Sequence, residues 1–551
     1  MLRIREIKLK PGEAPAAIPR AIEKRCAPGR FGYALSEWRV AAKSVDARDK
    51  ARIRFVYSVD FSVTPRAGAV KLRTAPEDFE ADFLRRLRAR GGGAGIEAAP
   101  AAGGGLSFVA RGAAAARARV GPAPVIVGFG PCGMFAALTL AAHGRAPVVL
   151  ERGKDADARV ADVNRFLAGG ALDPESNVQF GEGGAGTFSD GKLTTGIKDP
   201  RVGAVLETLA QAGGGDEILC TNKPHIGTDV LRVVVKKLRA RILSLGGTVL
   251  FEHKLAGLCA QGGALRAVLV DTPRGTEELP AEVLLLATGH SARDSFAMLR
   301  ASGVRMTPKP FSVGLRIEHP QRLIDAAQYG EHFTEIYGMA PREAGLPPAD
   351  YKLALRTADG RGLYTFCMCP GGVVIPAASE PFGTVTNGMS ERARAGAFAN
   401  SALLVEVRVS DFAAQGDPQD PLAGIAFQRT CEQRAFASEA APRPYFPPTE
   451  RLADFMGKES ALAACLPAFA AEAIREGLPR LGEKLKGFDL PEARLYGVET
   501  RSSSPVRIPR GQDLCTNIRG LYAGGEGAGC AGGIVSAAVD GIRLAEAILK
   551  L

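Results

Sequence analysis

No apolar run in this sequence reaches the roughly 18–20 residues that span a bilayer, so no membrane-spanning helix is expected. Its first ten residues, MLRIREIKLK, alternate apolar and charged side chains as a strand does. They lack the apolar centre of a secretory signal, and a cytoplasmic location is expected. Ten cysteines are scattered without a repeating spacing, which argues against a disulfide framework and for reduced thiols. No Cys/His group has zinc-ligand spacing, and no metal is expected. No C-x-x-C or C-x4-C pair of the thioredoxin or disulfide-reductase kind is expected to act as a redox centre.

What is present is the composition of an ordinary globular protein, with 46% hydrophobic and 23% charged residues in a chain of 551. That length implies two or three domains. The net charge of +11 is unevenly placed. Residues 1–120 hold 24 Lys and Arg against 12 Asp and Glu, a balance of +12; the remaining 431 hold 46 against 47, a balance of −1. A basic segment can serve nucleic acid, an acidic partner or an anionic surface. A solvated surface is the preferred reading, and nucleic acid the lesser one.

The chain is organised around Ala123–Gly153, APVIVGFGPCGMFAALTLAAHGRAPVVLERG. Val125–Val127 read as a buried strand, Gly128–Gly133 fit G-x-G-x-x-G, Met134–His143 read as a helix, and Pro147–Leu150 form a second strand ending on Glu151. Glycine at 128 permits a tight turn, at 130 it lets the backbone approach a pyrophosphate, and at 133 it lets the helix pack on the sheet. The helix N-terminus offers N–H groups and positive dipole, and an acid 18 residues beyond Gly133 can accept a hydrogen bond from a ribose. A dinucleotide site is the implication. Gly181–Gly186 repeat the glycine spacing within NVQFGEGGAGTFSDGKL, but no apolar helix follows, so this stretch reads as a loop lying against a flat or anionic ligand.

Taken in order, residues 1–90 read as a small basic α+β domain and residues 91–121 as a Gly/Ala-rich linker. Residues 122–307 read as the first part of a dinucleotide-binding domain with one β excursion. Residues 308–495 carry predicted antiparallel strands at Phe311–Glu318, Tyr351–Arg356, Gly362–Cys369, Gly372–Pro376, Thr384–Asn387 and Ser401–Val409, an inserted α+β substrate or cap domain. Residues 496–551 return to the first domain through a strand, a glycine turn and a last helix. The fold class is α/β, a Rossmann-like domain with an inserted α+β domain and a small N-terminal one.

Three of these glycine segments carry a resemblance. GFGPCG with Glu151, ATG at Ala287–Gly289 and AGGEGAG at Ala523–Gly529 resemble the FAD fingerprints of glutathione-reductase-like flavoproteins. FGEGGAGTFSDGKL, KPHIGTD, FCMCPGG, TNGMS, NSALLVEV and ETRSSSPVRI resemble motifs of a family of uncharacterised FAD-dependent dehydrogenases, over nearly the whole chain. The resemblance implies that Gly128, Gly130, Pro131 and Gly133 hold the FAD pyrophosphate, and that Glu151, followed by Arg152, binds the adenosine ribose. It places Gly289 near the cofactor, and Gly525 and Glu526 against the ribityl chain or a phosphate-linked water. Gly532, Gly533 and Ile534 would open the last helix beneath the flavin. Gly184, Gly186, Thr187, Ser189, Asp190, Gly191 and Lys192 would pack against its ring system.

No second dinucleotide domain is apparent, so NAD(P)H, as a transient reductant, would dock in the cap or arrive through a partner. For the chemistry itself no residue is decisive. His225 and Lys223 in KPHIGTD are candidates for donating a proton or anchoring an anionic substrate, and Arg316 and Arg501 for gripping a carboxylate or phosphate, with Arg501 also a candidate cofactor contact. Cys367 and Cys369 form C-x-C in a predicted strand. Alternation puts both on one face, with packed thiols preferred over a redox pair. The expected activity is an FAD-dependent oxidoreductase acting on a small molecule. The rivals are a flavin monooxygenase, a flavoprotein recruited to RNA or a partner by its basic domain, and a redox-inert protein using FAD structurally. No oligomeric state is predicted.

Overall fold

The short apolar runs that precede the glycine turns form neighbouring parallel strands. In the computed structural model, which describes residues 1–66, 79–100 and 122–550, Val125–Val127 lies between Leu284–Leu286 and Val148–Glu151. Leu521–Ala523 and Thr248–Phe251 complete a five-stranded parallel sheet at its two edges. Every residue of the three innermost strands except Val148 is buried, as the continuous Val/Leu/Ile runs require when both faces are covered. Helix Pro131–Ala142 leads from the first strand and is buried from Cys132 to Ala141. The last helix, Ile534–Leu549, crosses it closely: a Cβ on Gly541 would come within 2.1 Å of the Cys132 carbonyl oxygen. The β excursion is a three-stranded antiparallel sheet, Lys254–Gln261, Ala264–Thr272 and Gly275–Pro280.

The inserted region builds an antiparallel sheet of six strands. Phe311–Pro320 and Phe398–Val407 run side by side at its centre, flanked by Gly362–Cys369 with Ala354–Arg356 on one side and Arg494–Glu499 with Thr449–Arg451 on the other. The strand Arg494–Glu499 crosses the expected boundary at 495/496, so the insertion runs past it. Val373–Pro376 and Thr386–Met389 pair separately as a two-stranded ribbon. Among the helices not read from the sequence are Arg201–Leu209, Arg293–Ala301 and Gln321–Tyr329.

By density of contacts the chain divides into two units. The first contains residues 1–104 together with Asp216–Pro224 and Ile324–Ala349, two segments that the sequence assigned to later domains. Its antiparallel sheet has the order Tyr33–Asp46, Arg54–Pro65, Leu2–Leu9, Ile96–Ala98. Alternation in Arg54–Pro65 buries Phe55, Tyr57, Val59, Phe61 and Val63. Phe83 of helix Phe79–Ala89 packs edge-on against Tyr33 and Phe61, with ring centroids 5.7 and 6.5 Å away. The recruited segments are tied in by hydrogen bonds: Lys43 N donates to the Cys220 carbonyl, and Ile53 N donates to the Tyr337 hydroxyl at 2.7 Å. Ile96–Ala98 falls within the stretch expected to be linker; it is instead the fourth strand, because Ile96 fills a core position beside Ile4. The rest of the expected linker, residues 101–121, lies outside the described residues.

Candidate functional site

The turns at the C-terminal ends of the parallel strands open onto a cavity of about 370 Å³ in the second unit, walled on its other side by the antiparallel sheet. Gly128, Gly130 and Pro131 reach it from the first strand's turn, and Glu151 and Arg152 from the second strand's end. Gly289 and His290 reach it after Leu284–Leu286. The last return supplies Gly525, Glu526, Gly532, Gly533 and Ile534, and the loop supplies Gly184, Gly186, Ser189, Gly191 and Lys192. Residues expected from segments nearly 400 positions apart therefore share one wall. Switch-point crevices outside strand carboxyl ends are where open parallel sheets bind ligands.

The glycines divide by what a side chain would meet. A Cβ on Gly133 would lie 1.9 Å from the Gly128 carbonyl oxygen, so this glycine is needed for helix packing, and it does not line the cavity. Gly128, at φ +98, would push a Cβ to 2.4 Å from the Ala287 carbonyl oxygen. At Gly289, Gly532 and Gly533 a Cβ would meet no protein atom within 4 Å. The space beside them is room for a ligand, and it suits a cofactor that lies along backbone. With the N-termini of helices Pro131–Ala142 and Ile534–Leu549 at the same wall, the residues present fit FAD.

Glu151 is held firmly. Its Oε2 accepts the Phe129 N–H at 2.8 Å, and its Oε1 accepts those of Gly153 and Gly181 at 2.9 Å each. The carboxylate thus joins the glycine turn to the Asn177–Leu193 loop while still facing the cavity, where its remaining lone pairs can meet a ribose. Glu151→Gln puts an NH2 group where a carboxylate oxygen accepts backbone N–H groups. FAD affinity is expected to fall by about 10- to 100-fold, the equivalent of about 1–3 kcal/mol for unsatisfied buried polar groups. Titration followed by flavin fluorescence checks this, and undiminished affinity would remove Glu151 from the site. Arg152 is engaged by Glu175 and Asp294 and stacks over the Phe180 ring at 4.1 Å.

Glu526 lies across the start of the last helix. Its Oε1 accepts the Gly533 N–H, and its Oε2 is 3.4 Å from His290 Nδ1. Burial alone would raise its carboxyl pKa, but the His290 contact and the Gly533 N–H hold it below the ordinary value. His290 Nε2 contacts the Arg501 carbonyl at 2.9 Å, which requires the proton on Nε2 and aims Nδ1 at Glu526. Of the loop residues, Thr187 and Asp190 do not line the cavity. Thr187 is buried, its hydroxyl donating to the Glu182 carbonyl. Asp190 lies behind Lys192, joined to Arg394 and Ser390; burial opposes its ionisation, but Lys192 and Arg394 hold its pKa down to about 2.

Several candidates for chemistry change role. Arg316 is fully buried and does not reach a ligand: Nε donates to Asn400, Nη1 to Glu499 at 2.9 Å and Nη2 to the Cys367 carbonyl. The Arg501 guanidinium is likewise taken up, by Glu432 and Ser379, although part of the residue lines the cavity. His225 sits beside Lys192 through a β-bridge, its Nε2 3.0 Å from the Arg392 carbonyl, and burial lowers its pKa. Neither His225 nor Lys223 is on the cavity wall.

The C-x-C stretch also departs from expectation. The ladder to Phe398–Val407 jumps from Phe366 to Cys369, and Cys367 has φ +45. The break gives the two thiols different surroundings: Cys367 lines the cavity, and Cys369 is buried behind it. Thr386, Asn387 and Glu499 also reach the wall and were not singled out. Their only signal was membership of the TNGMS and ETRSSSP motifs. Among the described residues no group of three or more His, Cys, Asp or Glu could hold a metal, and no helix is long and apolar enough to cross a membrane.

The parallel sheet, its glycine turns and the shared cavity define a dinucleotide-binding flavoprotein fold. A family model described as FAD-dependent protein, C-terminal domain-like, matches residues 310–502. An uncharacterised protein of Clostridium beijerinckii is 46% identical over 447 residues, 78% of this chain and 80% of the relative. The chain belongs to this family of FAD-dependent proteins. Similar solved structures include the glycerol-3-phosphate dehydrogenase of Bacillus halodurans complexed with FAD. It is 11% identical, with a TM-score of 0.34, over 82% of this chain and 67% of that one. A geranylgeranyl bacteriochlorophyll reductase-like protein of Thermoplasma acidophilum is 12% identical, with a TM-score of 0.34, over 78% and 79%.

Proposed function

We propose that the chain is an FAD-dependent oxidoreductase of the dehydrogenase type, exchanging a hydride with an unidentified small molecule. The observation that carries this reading is a cavity walled by glycine turns on one side and polar strand ends on the other. Gly128, Gly130 and Pro131 would take the pyrophosphate, Glu151 the ribose, and Gly532–Ile534 the flavin end. When bound, FAD supplies a two-electron acceptor and donor. The last helix aims its N-terminus at the same wall, which favours negative charge there by about 0.5–2 kcal/mol. Lys192 gives an anionic substrate a charge partner at the wall. The antiparallel sheet shields the opposite side from water and orients what enters.

NADH, NADPH and a metabolite panel, added anaerobically to the purified protein, test this through the flavin absorbance. Bleaching by at least one of them is expected, with NAD(P)H acting as a transient reductant. A colourless protein that FAD cannot reconstitute, or a flavin that no reductant bleaches, would overturn it.

A further inference from the structure

The break in the strand at Cys367 puts a thiol on the cavity wall with a second thiol directly behind it. Cys369 Sγ donates to the Cys367 carbonyl at 3.2 Å. Two cations face the pair. Lys192, on the same wall, donates from Nζ to the Met368 carbonyl, the peptide between the two cysteines. Arg316 donates from Nη2 to the Cys367 carbonyl and lies 3.5 Å from Cys369 Sγ. The nearby acids are already paired, Glu499 with Arg316 and Asp190 with Arg394 and Lys192. The neighbouring Cys369 thiol, with Lys192 and Arg316, outweighs burial and holds the Cys367 thiol below the ordinary range, while the Cys369 thiol is pushed up. A thiolate at the surface of a cavity with a protonated thiol behind it is the division of labour of an attacking and a resolving cysteine.

We propose that Cys367 and Cys369 form a redox-active dithiol that opens small organic disulfides entering the cavity. The Cys367 thiolate attacks one sulfur of the disulfide RS–SR, forming Cys367–S–SR and releasing RS⁻. Cys369 then attacks Cys367 Sγ, its proton passing to the solvent or the departing thiolate, and the second RS⁻ leaves as the Cys367–Cys369 disulfide forms. The protein pair loses two electrons, and the small disulfide gains them as two thiols. This goes beyond the flavin reading and does not depend on it.

The test uses the full-length protein and 2-hydroxyethyl disulfide at pH 7, with peptide-level mass spectrometry after alkylation. The wild type is expected to lose both free thiols at 367 and 369 and gain an internal disulfide, before the other eight cysteines react. Cys369→Ser is expected to accumulate the mixed disulfide on Cys367, and Cys367→Ser to leave Cys369 unmodified. Lys192→Gln should slow alkylation of Cys367 by iodoacetamide at pH 7 by about fivefold or more. If the wild-type pair stays reduced while other thiols react, or if Cys369 reacts equally well in Cys367→Ser, the proposal is wrong. The wild-type measurement decides the matter even where a variant does not fold, and flavin absorbance recorded on the same samples reports separately on the cofactor.

Discussion

Gly133→Ala is expected to lower the thermal unfolding midpoint by about 6–12 °C and to yield protein that does not retain FAD. The added Cβ would sit 1.9 Å from the Gly128 carbonyl oxygen and 3.1 Å from its carbon, both backbone atoms that no rotamer change can move away. Relief requires the start of helix Pro131–Ala142 to shift. That helix is buried from Cys132 to Ala141, and Gly541 of the last helix rests against the Cys132 backbone, so the shift spreads through the sheet's helical layer. Overpacking of this kind costs about 3 kcal/mol, at roughly 2–4 °C per kcal/mol for a domain of this size. Gly130→Ala provides the contrast. Its Cβ would meet only the Gly184 Cα, at an ordinary 3.8 Å, and would project at the cavity wall. Its unfolding midpoint should stay within about a degree or two of the wild type while FAD affinity falls. The two glycines of one turn thereby separate folding from binding in calorimetry and flavin titration. A native midpoint in Gly133→Ala would show that the turn is not the constraint that its geometry implies.

That division was legible in the sequence because glycine turns, strand ends and the acid at position 151 are local patterns with local causes. The positions of Gly128, Gly130, Glu151, Gly289 and Gly533 around one cavity follow from strand order, which the alternation of apolar runs and helices also implies. The charged side chains were not legible in the same way. Arg316 and Arg501 looked available for a ligand, but their carboxylate partners, Glu499 and Glu432, lie 183 and 69 residues further along or back in the chain. No local signal marks such a pair; it exists only once the antiparallel sheet brings the strands together. Cys367 shows a second limit. Strict alternation assumes an unbroken ladder, and a single residue at φ +45 releases Cys367 to the cavity. Ile96–Ala98 shows a third, because a three-residue edge strand inside a glycine-rich stretch has too short a period to be seen. The recruitment of Asp216–Pro224 and Ile324–Ala349 to the first unit likewise rests on long-range contacts alone.

Glu432→Gln is expected to destabilise the protein by about 3–5 kcal/mol, because it takes a shared carboxylate from two buried guanidiniums at once. Glu432 is 1% exposed, and the Arg293 and Arg501 side chains are 1% and 3% exposed. Arg293 binds both of its oxygens, at 2.7 and 2.8 Å, and Arg501 binds both at 3.1 and 2.9 Å, with the Thr500 hydroxyl as a fifth donor at 2.7 Å. Glutamine keeps the volume, but it replaces one acceptor by a donor and removes the charge, leaving Glu380 as the remaining carboxylate for both arginines. The damage reaches the cavity, since the Arg501 carbonyl fixes His290 and His290 meets Glu526. The pH dependence supplies the sign. Burial opposes the charge on Glu432, but Arg293 and Arg501 prevail and depress its carboxyl pKa in the folded state. A depressed carboxyl contributes stability that is fully present above its unfolded pKa of about 4.3 and is lost as the pH falls through the folded value. The gap between wild-type and Glu432→Gln unfolding midpoints should therefore be widest at neutral pH and narrow below about pH 4. Parallel curves across that range would show that Glu432 holds these arginines by shape rather than by charge.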